Sequence, residues 1–239
     1  MNLWCWLNEN KQMADWLVAI GTLLLAFIAI FQDKVRSWVW SASLDCEIET
    51  TPPDCHRTIS RTRNNETEFF SFYYRFKIWN KGNVSARNVE VLIVDLCRKD
   101  GNSFKRVEAF PTDNLRWSTI FEYVGGEAVP KRYCEYISPD TYKYCNLGHI
   151  HDPEFRASLQ GENNPSLAVA STEAIFCMDV HFMSNNLYYL IGPGEYRVRI
   201  KVGAENAKTI DRSYLLKISG KWFDDETRML SEGVSIDPI

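Results

Sequence analysis

The sequence lacks the short motifs that identify common enzymes and zinc modules. It contains no Gly-Lys-Ser loop for phosphate, no Gly-x-Ser-x-Gly elbow, no His-Glu-x-x-His pair and no dinucleotide-binding fingerprint. The seven cysteines include no Cys-x-x-Cys pair, which excludes a zinc ribbon and a thioredoxin-like redox motif. The sequence therefore predicts a protein that is not an enzyme.

Positive charge is also in the minority. The 27 Lys and Arg residues are outnumbered by 31 Asp and Glu, which gives a net charge of −4. This balance argues against general nucleic-acid binding, although a local basic surface is compatible with it.

One long apolar run, at positions 16–31, stands out because it carries no charged side chain. As a helix it spans roughly 24 Å, close to the thickness of a bilayer's hydrocarbon core. Five of the eight tryptophans flank it, as is typical of the membrane interface: Trp4, Trp6, Trp16, Trp38 and Trp40. We expect an interfacial lead at 1–12 and a transmembrane helix with an amphipathic extension at 13–40. A buried helix of a soluble core, the alternative, would show a polar stripe.

The rest of the chain, residues 43–239, alternates apolar and polar side chains with a period of two. Apolar side chains occupy every second position from 70 to 78, and a turn at 80–83 leads into a second alternating run at 86–96. Further alternating runs follow at 174–182, 196–202 and 214–222. Many short strands separated by turn signals indicate an antiparallel β-sandwich.

Proline and clusters of polar residues predict the connections between these strands. We expect loops at 51–65 and 156–171, and a hairpin at 131–146 around the sequence Ser-Pro-Asp-Thr. The tail from position 224 is predicted to hold one helical turn and then fray.

Two segments carry a resemblance to known proteins. Residues 74–91, with Asn-Lys-Gly-Asn between alternating strands, resemble the strand–turn–strand of bacterial immunoglobulin-like domains, and residues 192–202 are similar to a later strand of such domains. The layout also resembles bacterial single-span membrane proteins of unknown role. The resemblance implies a mainly β protein, with an N-terminal transmembrane helix followed by an immunoglobulin-like antiparallel β-sandwich.

The charges beside the span predict its orientation. Lys11 precedes it, whereas Lys34 and Arg36 follow it, so the positive-inside tendency places the C-terminal domain in the cytoplasm. Cysteines without evident partners fit such a reducing compartment. No cleavage signal follows the apolar run closely, so we expect a single-pass anchor in the bacterial inner membrane.

Cysteine and histidine cluster around the predicted hairpin. If that hairpin forms, Cys134 lies opposite Cys145, and with His149 and His151 it could complete a tetrahedral zinc site. The alternatives are a solvent-facing loop beside two buried cysteines, or a disulfide between Cys134 and Cys145. Farther along, Asp179 and His181 share a strand face and are interpreted as a surface ion pair.

Basic residues alternate with apolar ones near the C-terminus. They are expected on the outward face of two neighbouring strands, where they would form a basic strip: Arg197, Arg199, Lys201, Lys217 and Lys221. Such a strip could bind anionic lipid headgroups, a small anionic ligand or an acidic protein partner. The alternative is an ordinary solvated sheet face.

Small and polar residues follow a heptad spacing along the span. We refer to them as the seam: Asp15, Ala19, Thr22, Ala26, Ala29 and Asp33. Helices in bilayers associate through close packing of small residues, so the seam predicts self-association. A plain anchor, in which these residues fall on one face by chance, is the alternative.

These features lead to two functional hypotheses. The first is a membrane-anchored, non-enzymatic binding or sensing module, homo-oligomeric through its transmembrane helix. The second is an oligomeric effector that permeabilises or depolarises the inner membrane, as in a stress or defence system. An enzyme with an unrecognised active site is a third and weaker reading.

Overall fold

The computed structural model describes residues 11–61, 68–108, 110–154, 170, 172–183 and 187–239. Most of the expected lead at 1–12 and of the expected loop at 156–171 lies outside these residues. The described chain divides into two compact units, residues 1–41 and 42–239.

The first unit contains a single helix, α1 (Lys11–Val39), which begins two residues before the predicted start and ends one residue before the predicted end. Its segment Gln12–Phe31 is long and apolar enough to cross a membrane, and no part of that segment is buried. An apolar surface of this length needs a nonaqueous environment or a partner, as expected for a membrane anchor.

The second unit is built mainly from strands. In chain order they are β1 (Leu44–Glu47), β2 (Cys55–Arg61), β3 (Glu68–Asn80), β4 (Ala86–Asp100), β5 (Ser103–Arg106), β6 (Asp113–Asn114), β7 (Phe121–Val124), β8 (Glu127–Pro130), β9 (Cys134–Ile137), β10 (Thr141–His151), β11 (Phe176–Met178), β12 (Leu190–Ile191), β13 (Gly194–Ala204), β14 (Ala207–Ile218) and β15 (Val234–Pro238). A short helix, α2 (Glu226–Arg228), continues into a π-helical turn (Met229–Gly233) before β15.

The strands form two main antiparallel sheets. In sheet 1, β1 and β2 share one edge of β3, and β10, β11 and β12 follow on the other side. Sheet 2 has the order β15-β14-β13-β4, and β5, β6 and β9 line the far edge of β4. β7 and β8 form a separate hairpin. The predicted fold class, mainly β with an N-terminal apolar helix followed by antiparallel sheets, is confirmed.

The inner faces of the two sheets pack against each other. On β3, Phe72, Tyr74, Phe76 and Ile78 are fully buried, whereas Phe70, which the alternation also assigned to this face, is 40% exposed. The apolar positions of β13 that face the same core are buried as well. The rings of Phe76 in sheet 1 and Tyr214 in sheet 2 lie 4.9 Å apart, and the Tyr214 hydroxyl donates to the Cys46 carbonyl at 2.9 Å. The period-two pattern read from the sequence therefore produces this core directly.

Two segments that were expected to be irregular form strands instead, because each pairs with an open edge of a sheet. The expected loop at 51–65 contains β2, which pairs with the N-terminal half of β3; β1 covers only the last four residues of that edge. The tail does form a helical turn but does not fray. β15 pairs with β14, and Val234 and Ile236 are buried while their neighbours face outward.

The predicted hairpin at 131–146 is also wrong. β9 pairs with β4 in sheet 2, and β10 pairs with β3 in sheet 1, so the chain crosses between the sheets here. The same crossing occurs between β3 and β4, and the two corners lie together. The Asn80 side chain joins them by donating to the carbonyls of Val84 at 2.7 Å and Ile137 at 2.9 Å. A turn signal in the sequence does not distinguish such a corner from a hairpin.

Candidate functional site

Chemically active side chains line up across the outer face of sheet 1. The strand register places His56 of β2 opposite Tyr73 of β3, Tyr73 opposite His149 of β10, and His149 opposite Cys177 of β11. Side chains at directly opposed positions share a face, so these four form one row across the sheet. The rings of Tyr73 and His149 lie 5.1 Å apart.

His149 is the centre of this row and forms an ion pair with Asp179. Its Nδ1 lies 2.9 Å from Asp179 Oδ1, and both residues are buried. Burial by itself would lower the pKa of His149, but the Asp179 carboxylate and the Cys177 side chain raise it well above its usual value. These neighbours therefore favour the protonated form of the His149 imidazole.

The position of Asp179 follows from the end of β11. Its backbone N–H donates to the Leu147 carbonyl at 3.1 Å, which keeps the residue against β10 after the strand has ended. Asp179 and Cys177 are two residues apart and so point to the same face. The second carboxylate oxygen, Oδ2, is buried without a hydrogen-bond partner in the described part of the chain.

Cys177 is the third member of this group, which then contains a carboxylate, an imidazole and a thiol. It is directly opposite His149 and is hydrogen-bonded to it through its side chain. It is buried, with 4% of its surface exposed. A cysteine beside an imidazolium is the usual microenvironment of a reactive thiol. We refer to Cys177, His149 and Asp179 as the thiol cluster.

His151 extends the row of polar groups along β10. Its Nδ1 lies 2.7 Å from Ser71 Oγ, which is also hydrogen-bonded to Ser60 Oγ at 2.7 Å. The pKa of His151 is lowered to about 2 because burial disfavours the charged ring and because the positive charge of His149 is close. The two histidines therefore carry different charges at neutral pH, although their rings are only 4.4 Å apart.

This difference predicts an acid-sensitive contribution of His151 to folding. In the unfolded chain it takes up a proton near pH 6.5, whereas in the folded domain it stays neutral until about pH 2. The unfolded state then binds more protons below pH 6.5, so stability should fall by up to about 1.4 kcal/mol per pH unit as the pH decreases. Below about pH 5.5 His149 contributes little, because the unfolded chain then also holds most of its proton. Nearer pH 6.5 its raised pKa makes the fold more stable as the pH falls, which offsets part of the slope from His151 in both the parent and His151→Asn.

Urea unfolding at pH 7.5, 6.5, 5.5 and 5.0 measures this slope. His151→Asn is expected to flatten the decline between pH 6.5 and 5.0, and the control His181→Asn is expected to leave it unchanged. A residual slope from His56, whose pKa is lowered by partial burial and by Arg75, is common to all three proteins. Equal slopes in the parent and His151→Asn would contradict the assignment.

The four predicted zinc ligands do not converge in the structure. Cys145 lies on the inner face of β10, opposite Phe76, whereas His149 and His151 lie on its outer face. A register shift between Asn146 and Gly148 reverses the alternation of side chains, so that Cys145 and His149 point to opposite faces of β10. Cys134 belongs to sheet 2, and both Cys134 and Cys145 are free thiols, which also contradicts the alternative of a disulfide between them. Within the described ranges, no three His, Cys, Asp or Glu residues are arranged to hold a metal ion.

The basic strip is present on the outer face of sheet 2, but acidic residues interrupt it. Arg199 is paired with the Asp211 carboxylate at 2.9 and 2.7 Å, and Lys201 lies 3.9 Å from the same group. The Arg197 guanidinium lies over the Phe104 ring at 5.6 Å. This pattern resembles an ordinary solvated face more than a continuous anion-binding surface.

The remaining strip residues lie near a cleft. Lys217 is opposite Glu195, and Lys221 follows the end of β14. Lys217 and Lys99 line a cleft of about 510 Å³, together with Glu195, Glu232 and the hydroxyl-bearing residues Ser219, Ser231 and Ser235. With both signs of charge and several hydroxyls, this cleft suits a small polar ligand better than a simple anion.

The seam lies along exposed positions of α1. Asp15, Ala19, Thr22, Ala26 and Ala29 are all exposed, and the side chain of Asp33 lies outside the described residues. The Thr22 hydroxyl donates to the Val18 carbonyl at 2.8 Å, so its polar group is satisfied within the helix.

Sequence reasoning identified part of the thiol cluster but paired its members wrongly. Asp179 was interpreted as a surface partner of His181, whereas it is buried and bound to His149. Cys177 was not singled out, although its position two residues from Asp179 places it on the same polar face. The missing information was which strand lies beside β11, and the sequence carries no local signal for that pairing.

Comparison with known proteins adds no assignment, since no protein-family model matches the chain and no curated protein is detectably similar to it.

Proposed function

We propose that this protein is a membrane-anchored, non-enzymatic binding or sensing module of the bacterial inner membrane, with its β-sandwich in the cytoplasm. The observation that carries the proposal is the apolar segment Gln12–Phe31, none of which is buried by the rest of the chain. The sandwich forms a separate compact unit from residue 42 onward. Such a division suits a domain that reports on the cell interior while a helix holds it at the membrane.

Flotation with lipid vesicles tests the anchor. The full chain, reconstituted by detergent removal with phosphatidylcholine and phosphatidylglycerol, is expected to float with the vesicles in a sucrose gradient. A fragment of residues 42–239 is expected to stay at the bottom. A full chain that is soluble without detergent, or a fragment that floats equally well, would contradict the proposed role of α1.

The free thiols of Cys46, Cys55, Cys97, Cys134 and Cys145 support the cytoplasmic orientation. The binding surface that we propose is the cleft beside Lys99 and Lys217, which would take a small anionic or polar ligand or a side chain of a protein partner. This placement retains the predicted role of Lys217 but not that of Arg199, whose charge is already paired with Asp211.

Self-association through the seam is part of the same proposal. Replacing Ala26 and Ala29 by leucine should prevent the close backbone approach that small residues permit. The parent is expected to form a discrete oligomer in detergent by mass photometry, and Ala26→Leu/Ala29→Leu is expected to shift it toward monomer. The control, Leu24→Ile/Ile28→Leu, changes shape on the opposite face and should assemble like the parent. A monomeric parent would contradict the seam.

A second candidate function, a membrane-depolarising effector, rests on the same exposed seam. Gathered copies would place Asp15 in a ring near one end of the span, and acidic rings favour cations in pores. Loss of membrane potential when the parent is expressed, but not when Ala26→Leu/Ala29→Leu is expressed, would favour this function over the first.

A further inference from the structure

The thiol cluster has the parts that a reactive cysteine needs. Asp179 holds His149 at 2.9 Å through Nδ1, and His149 is hydrogen-bonded to Cys177 on the adjacent strand. Cys177 and His149 are in direct register on neighbouring strands of sheet 1, and Asp179 is held against β10 just after β11 ends. A carboxylate that orients an imidazole beside a nucleophile is the arrangement that activates thiols in general.

Asp179 provides a second, independent observation. It is 4% exposed, and its Oδ2 atom is buried without a hydrogen-bond partner in the described part of the chain. Burying a carboxylate oxygen without a partner costs free energy, and such groups are rare unless they serve a function. The other carboxylate oxygen of Asp179 lies 2.9 Å from His149 Nδ1 and favours a protonated imidazole beside Cys177.

Burial limits what can reach this thiol. Only 4% of the surface of Cys177 is exposed, so a small reactant can approach it more easily than a bulky one. Hydrogen peroxide is of suitable size, and thiolates attack it without a metal or an organic cofactor.

We propose that Cys177 is a nucleophilic thiol that reacts with hydrogen peroxide, with His149 as the proton donor and Asp179 as the residue that orients it. This goes beyond the proposed membrane-anchored function, because the chemistry belongs to the sandwich and holds whether or not α1 is an anchor. It would make the domain a stoichiometric sensor of peroxide.

The step balances within the cluster and one peroxide molecule. The Cys177 thiol first transfers its proton to the neutral His149 imidazole, which gives a thiolate beside an imidazolium. The thiolate sulfur then attacks one peroxide oxygen, a sulfur–oxygen bond forms, and the oxygen–oxygen bond breaks. Sulfur is oxidised by two electrons to sulfenic acid, and peroxide is reduced. The departing hydroxide takes the proton from the His149 imidazolium and leaves as water, which leaves His149 neutral.

Cys97 is a matched control within the same chain. It is also 4% exposed and lies on the outer face of the other sheet. Its sulfur donates to Asp95 Oδ2 at 3.3 Å and lies 3.5 Å from Arg197 Nη2. Cys97 thus matches Cys177 in burial and has a nearby cation, but it faces a carboxylate acceptor and no imidazole.

The test treats the full chain in detergent with hydrogen peroxide for a series of times, removes the peroxide with catalase, and then denatures the protein in the presence of dimedone, which labels the sulfenic acids that have formed. Peptide mass spectrometry then gives the labelling rate at each cysteine. Cys177 is expected to be labelled at least tenfold faster than Cys97, and His149→Gln is expected to reduce the rate at Cys177 at least tenfold. His181→Gln, which lies outside the cluster, should leave the rate unchanged.

Two results would overturn the proposal: equal rates at Cys177 and Cys97 in the parent, or an unchanged rate at Cys177 in a folded His149→Gln variant. If His149→Gln unfolds, all its cysteines become labelled together. In that case the ratio of Cys177 to Cys97 in the parent decides the question by itself.

Discussion

Replacing Asp54 by alanine is expected to destabilise the sandwich by about 3 kcal/mol, since a buried ion pair that loses one partner leaves an uncompensated charge. Asp54 is fully buried between β1 and β2. Its Oδ1 lies 2.9 Å from Lys77 Nζ and accepts from the Tyr144 hydroxyl at 3.2 Å, and its Oδ2 accepts from the Glu49 N–H at 3.1 Å. One carboxylate thus connects the β1–β2 loop to β3 and β10.

Asp211→Ala is the matched control for this prediction. Asp211 also pairs with a basic side chain, Arg199, at 2.7 Å, but both side chains are more than a third exposed. Exposed pairs contribute less than about 1 kcal/mol. Urea unfolding followed by tryptophan fluorescence compares the two variants. If both variants lose the same free energy of unfolding, burial does not increase the contribution of the Asp54 ion pair to stability, and the prediction is wrong.

Gly148→Ala is expected to destabilise the fold by about 2–3 kcal/mol through overpacking. A Cβ at this position would overlap the backbone carbonyl oxygen of Cys177 and the ring of Phe176. Gly148 is paired with Met178 at the point where the register of β10 shifts, so β10 and β11 approach each other closely there. The backbone of β11, which carries Cys177, would have to move away.

Gly203→Ala is the control for Gly148→Ala, because it is also a strand glycine beside a register shift. Its new Cβ would meet Thr209 Oγ1 at 3.8 Å, an ordinary van der Waals distance. We expect Gly203→Ala to be neutral or slightly stabilising. Urea midpoints measure both variants, and a Gly148→Ala protein as stable as Gly203→Ala would show that β11 adjusts without cost.

Much of the fold could be predicted because its long strands are amphipathic on their own. The alternation from Phe72 to Ile78 and from Tyr196 to Val202 already specifies which side chains enter the core, whereas Phe70, assigned to the same face, is exposed. The short or irregular strands carried no comparable signal. β2 was missed because its alternation is weak and it follows two prolines, and it is a strand because the edge of β3 is open there.

The candidate site illustrates the same limit. Cys177 and Asp179 point to the same face because they are two residues apart, and so do His149 and His151. That β11 lies beside β10, with Cys177 opposite His149, depends on pairing across a long separation in the chain. The four predicted zinc ligands are not brought together for the same reason: Cys134 and Cys145 were assigned to one hairpin, whereas they belong to different sheets.

The sequence by itself determined the properties that depend on neighbouring residues. These are the apolar segment Gln12–Phe31, the division near residue 42 and the amphipathic strands of a β-sandwich. The tertiary structure alone decided which strands are neighbours, and with them the Asp54 network, the close approach at Gly148 and the thiol cluster. The physical reason is that local periodicity sets the direction of each side chain, whereas strand pairing is set by the joint burial of both sheets, to which distant segments contribute together.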